Sequence, residues 1–219
     1  MNKTTLQLLA AAVLAAAATE GQAADVTFTG FENGSQGVTF SLGGSNAARS
    51  GSASAGGFAT VLDGGPSFET YCVDVYQFIG FGTKYSDYTG PGTSHTFNNA
   101  NAYADLSKLY AAAGPVNDAE HEAAFQLAVW EIAYEKTGNP YDLSSGDASF
   151  TGNAATLALA SGWLADLGSH GTGDGIVVLE SPGEQDVIFQ PVPEPENYAL
   201  MMAGLAALAA GARRRRRKG

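Results

Sequence analysis

The sequence predicts an α+β fold, an antiparallel β sandwich or barrel with a helical insertion in its second half. Three observations predict it. Between residues 25 and 62, short alternating stretches are separated by Gly, Ser and Asn clusters, which is typical of strands joined by turns. Between residues 100 and 167 the apolar residues recur at helical spacing. Strand-like segments return between residues 176 and 190.

Four strands are expected in the first half of this domain. Three short ones cover residues 26–29, 38–42 and 58–62. The fourth, residues 67–79, keeps β-branched and aromatic residues throughout, as a central strand does. Residues 85–91 are expected to form a loop.

Three helices are expected next, over residues 100–113, 119–136 and 153–167. Asn117 or Asp118 can cap the second helix, whose first turn is acidic. Two further strands, residues 176–179 and 186–190, close the domain, and the last can pair back with the early strands.

The first 23 residues predict a secretory signal peptide. Lys3 supplies a positive charge, residues 6–18 form an apolar run, and small residues precede a cut after Ala23. A start helix retained in the membrane is the alternative, but the apolar run is shorter than the roughly 18–20 residues of a span.

The other end, residues 191–219, has three parts in a fixed order. A proline-flanked glutamate comes first (Pro193, Glu194 and Pro195), then an apolar stretch over residues 198–212, then a basic tail (Arg213, Arg214, Arg215, Arg216, Arg217 and Lys218). Prolines keep the start extended, and the basic tail can hold a short transmembrane helix at the cytoplasmic headgroups. The rest of the chain then faces outward.

This ending resembles the PEP-CTERM sorting signal. The resemblance implies that an exosortase, a membrane enzyme of Gram-negative bacteria that make exopolysaccharide, recognises and processes the tag. We therefore expect an exported protein of the cell envelope, outer surface or extracellular space, held transiently in the inner membrane by its C-terminal helix.

Removal of both ends leaves an ectodomain, residues 24–190, whose charge excludes some partners. It keeps 19 of the 22 acidic residues and 4 of the 11 basic ones, a net charge of −15. So acidic a surface argues against nucleic acid as a partner.

Two side chains of this ectodomain are candidates for chemistry. Cys72 is the one cysteine of the chain, although exported cysteines usually pair. It can be a buried core thiol acting as a small apolar residue. Gln126 lies among apolar positions of the second helix, where a carboxamide costs free energy unless it is hydrogen-bonded.

Residues 71–74 (Tyr-Cys-Val-Asp) and 125–130 (Phe-Gln-Leu-Ala-Val-Trp) together resemble the thioester domains of bacterial surface adhesins. The resemblance implies an internal Cys72–Gln126 thioester that captures an amine or hydroxyl of a surface or matrix component. Tyr71, Tyr76, Phe125 or Trp130 can shield it from water, and Asp74 can assist proton transfer or accept a backbone hydrogen bond. Such capture is single-use, so the chain is not expected to be an enzyme.

Other functions were weighed against this one. The competing class is a non-covalent structural or binding protein of the exopolysaccharide matrix. A cysteine hydrolase lacks any local signature around Cys72, and the three histidines lack zinc spacing. Calcium ligands could come from Asp142, Asp147 and residues 171–175, but ordinary turns explain the same residues. We expect neither a metal nor a cofactor.

Overall fold

The computed structural model describes residues 23–191. The predicted signal peptide, apart from Ala23, and the predicted sorting signal, apart from Pro191, lie outside the described residues. Within this span, none of the helices is both long and apolar enough to cross a membrane.

Six antiparallel strands form a closed barrel. In the order around the barrel they are β1 (Ala23–Phe31), β4 (Phe58–Leu62), β5 (Ser67–Cys72), β9 (Val187–Phe189), β8 (Val177–Glu180) and β6 (Lys84–Gly92). The alternating pattern of the sequence places one face of each strand in the core: along β1, Ala24, Val26 and Phe28 are buried and the two residues between them are partly exposed. The predicted antiparallel α+β class is confirmed, and the larger of the two sheets closes into a barrel.

A second antiparallel sheet lies beside the barrel, in the order β3 (Arg49–Ala55), β2 (Gln36–Leu42) and β7 (Ala148–Thr151). Three helices accompany it: α1 (Ala102–Ala113), α2 (Ala119–Tyr134) and α3 (Ala154–Asp166). A single 3-10 turn, Leu167–Ser169, follows α3.

Helix α2 is the centre of the domain. Every residue from Glu122 to Tyr134 is buried, and the helix contacts α1, α3, β5 and all three strands of the second sheet. A helix that is apolar on all sides is stable only when it is surrounded. Asp118 is its cap, accepting the backbone N–H groups of Glu120 and His121 at 3.0 and 2.9 Å.

The strands differ from the prediction in four places, one of which is β7, a strand that was not predicted. The strand predicted over residues 67–79 ends at Cys72, because Asp74 and Gln77 form a turn. Residues 85–91, expected to be a loop, belong to β6, where Tyr88 is fully buried. β3 lies in the Gly, Ser and Asn stretch between residues 42 and 58, which was expected to be a connection, but its backbone pairs with β2 over all seven residues.

Candidate functional site

Cys72 is the last residue of β5, beside the short strand β9. It lies opposite Val187, and its side chain is 1% exposed. The backbone N–H of the next residue, Val73, donates to Asp186 on the β9 side. Because successive residues of a strand point their backbone groups to opposite sides, those of Cys72 face the β4 side. β4 offers no partner there, since its first residue, Phe58, pairs with Thr70.

The side chain of Gln126 supplies the missing partner. Its Oε1 accepts the backbone N–H of Cys72 at 3.0 Å, and its Nε2 donates to the backbone carbonyl of Cys72 at 2.7 Å. The carboxamide thus replaces a peptide group of an absent strand. This pairing explains how a glutamine only 1% exposed is tolerated in an apolar helix. The structure therefore brings the two predicted thioester residues into direct contact.

The Cys72 thiol lies in an environment that opposes ionisation. Burial raises its pKa far above the ordinary value for cysteine, and the charge of Asp74 raises it further. The neighbouring Trp130 and the backbone of Asp74 lower the pKa of Cys72, but the effect of burial is larger. The side chain is consequently a neutral thiol at physiological pH.

A groove of about 870 Å³ reaches this site from outside, between the barrel and the second sheet. Cys72 and Trp130 both line it, together with Gln185 and several aromatic side chains. Trp130 stacks on Phe150 with 6.0 Å between ring centroids. Its buried Nε1 makes no hydrogen bond within residues 23–191, although most buried indoles find a partner. An incoming molecule would meet the cysteine and this donor together.

Three of the four predicted shielding residues, Tyr71, Tyr76 and Phe125, do not line this groove. Tyr71 precedes Cys72 and points to the opposite face of β5, where its ring packs on Phe125 at 4.3 Å. The Tyr71 hydroxyl donates to Glu122 Oε2 at 2.9 Å. Of the four aromatic residues predicted to shield the thioester, Trp130 is therefore the one that shares the groove with Cys72.

Asp74 was expected to follow Cys72 along the same strand face, but it lies beyond the end of β5. Its Oδ2 accepts the backbone N–H of Asp186 at 3.1 Å, which is the structural role considered above. Burial, and then the charge of Asp186, raise the pKa of Asp74 to about 6. It holds the chain after β5 against the start of β9.

Sequence reasoning missed a cluster that lies beside Asp74. His95 Nδ1 is 2.8 Å from Glu180 Oε1 and 3.4 Å from Asp186 Oδ2. Burial lowers the pKa of His95, but hydrogen bonds to the two carboxylates outweigh burial and raise it. Among the described residues, this is the group of three whose ligand atoms lie close enough to hold a metal ion. Glu180 and Asp186 flank the connection between β8 and β9, but His95 comes from a distant segment, so no local spacing could reveal the group of three.

The candidate calcium residues Asp142 and Asp147 have ordinary partners. Asp142 accepts hydrogen bonds from Ser144 and Ser145, as in a turn. Asp147 accepts the backbone N–H of Ser45 at 2.9 Å.

Family models, curated proteins and solved structures were each compared with the chain, and none of them matches it.

Proposed function

We propose that the chain is an exosortase-sorted surface protein whose ectodomain forms an internal thioester between Cys72 and Gln126. The thioester would attach the protein covalently to an amine or hydroxyl on a surface or matrix component. The observation that carries the proposal is the double hydrogen bond between the Gln126 carboxamide and the Cys72 backbone, at 3.0 and 2.7 Å.

The contacts suit thioester formation chemically. The Cys72 sulfur attacks the carbonyl carbon of Gln126, the C–S bond forms, and the C–N bond breaks. The thiol proton leaves with the amide nitrogen as ammonia, so no net charge is created. As the carbonyl oxygen becomes negative in the tetrahedral intermediate, the Cys72 N–H already donates to it. A rigid strand end and a buried helix hold the reactants, which reduces the entropic cost of reaction.

Capture reverses the bond change at sulfur. A nucleophile entering the groove attacks the same carbonyl carbon, the C–S bond breaks, and sulfur takes up the proton that the nucleophile loses. The target is then joined to Gln126, and Cys72 is again a thiol. Burial around Cys72 supports this order of events, because it keeps bulk water from hydrolysing the thioester.

The same contact also suits a second function, a non-covalent matrix protein with an inert thiol. Full burial and a strongly raised pKa of Cys72 favour it, since the neutral thiol is a poor nucleophile. Gln126 would then serve as a structural clamp between α2 and the barrel.

Intact mass of the purified exported protein separates the two functions. A thioester lowers the mass by one ammonia, and the deficit should vanish in Cys72→Ala and in Gln126→Glu. The glutamate variant is the matched control, because it keeps the size of the side chain but has no amide to expel. The covalent proposal would be refuted if freshly prepared protein has its full mass and its Cys72 thiol can be alkylated after denaturation. If the protein were instead an enzyme that uses the cysteine, its turnover would survive Gln126→Ala but not Cys72→Ala.

The sorting step has its own test. Replacing Pro193-Glu194-Pro195 with three alanines should leave the uncleaved protein in the inner membrane of an exosortase-bearing host. Release that is unchanged by this replacement would contradict exosortase sorting without bearing on the thioester.

A further inference from the structure

The groove that reaches Cys72 has an unusual lining for so acidic a domain. Of the residues between 23 and 191 that line it, not one is charged, although residues 24–190 carry 19 acidic and 4 basic side chains. Its walls carry hydroxyls, from Ser52, Ser54, Thr39 and Thr151, and aromatic rings. A groove without charge selects against charged ligands, because they would lose hydration without gaining an ion pair.

Aromatic rings are exposed at its mouth. Phe78 is 73% exposed and Phe81 is 47% exposed, and they are the large apolar side chains that lie open to solvent in the described part of the chain. Phe81 is held by Phe31 and Phe58, with ring centroids 5.1 and 6.0 Å away. Exposed aromatic side chains beside a groove mark a binding surface. Their flat faces match the apolar C–H faces of sugar rings.

Two buried polar atoms of the groove residues have no partner. Gln185 is 9% exposed, and its Nε2 donates to the backbone carbonyl of Gln77 at 2.6 Å, which fixes the orientation of the amide. Its Oε1, an acceptor, makes no hydrogen bond within residues 23–191, and neither does Nε1 of Trp130, a donor. An unpaired buried polar atom destabilises the protein, and a ligand that bonds to it removes that cost.

We infer that this groove is a carbohydrate-binding site for a neutral, hydroxyl-rich polysaccharide segment. Sugar hydroxyls both donate and accept, so one chain can satisfy the Gln185 acceptor and the Trp130 donor while its rings stack on Phe78 and Phe81. An ammonium group only donates and finds no carboxylate in this groove. Binding of this kind needs no thioester.

Covalent capture is a second step after binding, and it rests on the proposed function. In a protein that carries the thioester, a hydroxyl of the bound sugar is the nucleophile. The sugar oxygen attacks the carbonyl carbon of Gln126, the C–S bond breaks, and the hydroxyl proton moves to the Cys72 sulfur. The product is an ester between the sugar and residue 126. Because burial makes the released sulfur strongly basic, it can accept this proton itself.

Affinity electrophoresis of the exported protein carrying Cys72→Ala tests the binding without any thioester. The gels contain dextran, laminarin, galactomannan or the anionic polymer alginate. Retardation by at least one neutral polymer is expected, and Phe78→Ala or Gln185→Leu should weaken it about tenfold or more. Phe68→Ala is the matched control, since it removes a partly buried ring that does not line the groove and should leave the retardation unchanged.

Three outcomes overturn the inference. The protein is retarded by alginate alone, it is retarded by none of the four polymers, or Phe78→Ala leaves the retardation unchanged. Preferential binding of a lysine-rich peptide over every neutral polymer, measured by fluorescence titration, also overturns it. If the Cys72→Ala protein binds a neutral polymer and the unsubstituted protein shows no loss of ammonia in its mass, the thioester is refuted and the carbohydrate site is retained.

Discussion

Removal of the Gln126 carboxamide should destabilise the domain even where no thioester can form. The comparison is Cys72→Ala against Cys72→Ala/Gln126→Leu, because the alanine abolishes the covalent bond and leaves the backbone of residue 72 in place. Leucine fills a similar volume but bonds to neither backbone group. The N–H and the carbonyl of residue 72 both lose their partner.

The expected loss follows from two orphaned groups. Each buried backbone group left without a partner costs about 1–3 kcal/mol, so the unfolding free energy should fall by roughly 2–6 kcal/mol. Urea unfolding followed by far-ultraviolet circular dichroism measures it, with Ser107→Ala as control. Ser107 is also buried, but its hydroxyl has no partner within residues 23–191, so its loss should be small. A double-variant loss below about 1 kcal/mol would refute the view that the carboxamide substitutes for a strand.

Three further predictions concern pH, capping and thiol reactivity. Burial raises the pKa of Glu131 to about 8, so its folded form holds a proton that the unfolded form releases above about 4.5. The free energy of unfolding should therefore fall as the pH rises from 5 to 8. Glu131→Gln has no carboxyl group to titrate, so the difference in unfolding free energy between pH 5 and pH 8, measured with urea, should shrink by a few kcal/mol. An unchanged difference would exclude this carboxyl group as its source. Asn153 Oδ1 accepts the N–H of Ala155 at 2.8 Å at the start of α3, so Asn153→Ala should cost about 1 kcal/mol by the same assay, and a neutral result would show that the cap is dispensable. In folded Gln126→Ala protein at pH 8, iodoacetamide should modify Cys72 far more slowly than it modifies free cysteine, because burial raises the pKa of the thiol. In denaturant the rate should equal that of free cysteine. Fast modification of the folded protein would contradict the burial of Cys72.

The strands and helices that were predicted well are those whose side chains show alternating or helical spacing of apolar residues, or a capping residue. β1 and β2 alternate in burial as well as in sequence, and α3 begins after the capping residue Asn153. β3 could not be found in this way. It is an edge strand whose backbone bonds to β2, and backbone groups are the same in every residue. β6 was obscured by Gly90 and Pro91, which are typical of turns.

The site was predictable only in part, for a related reason. Cys72 and Gln126 could be paired through a resemblance, but the sequence does not reveal that β4 stops short of Cys72 and leaves two backbone groups for the glutamine to bond. The position of Asp74 depended on where β5 ends, and strand ends are set by partners. The groove and its two unpaired atoms depend on how two sheets sit against one helix, which no local pattern encodes.

The double hydrogen bond between Gln126 and Cys72 has a consequence for the used protein. If a thioester forms and water opens it, residue 126 returns as a glutamate, and its carboxyl group faces the Cys72 carbonyl that the amide once served. The donor to that carbonyl is lost earlier, when the thioester forms, because Nε2 departs as ammonia. At a position closed to solvent the returning carboxyl group keeps its proton, and that O–H can donate to the Cys72 carbonyl. Hydrolysis would thus restore a bond that thioester formation had removed, and the barrel would be better paired after discharge than before it.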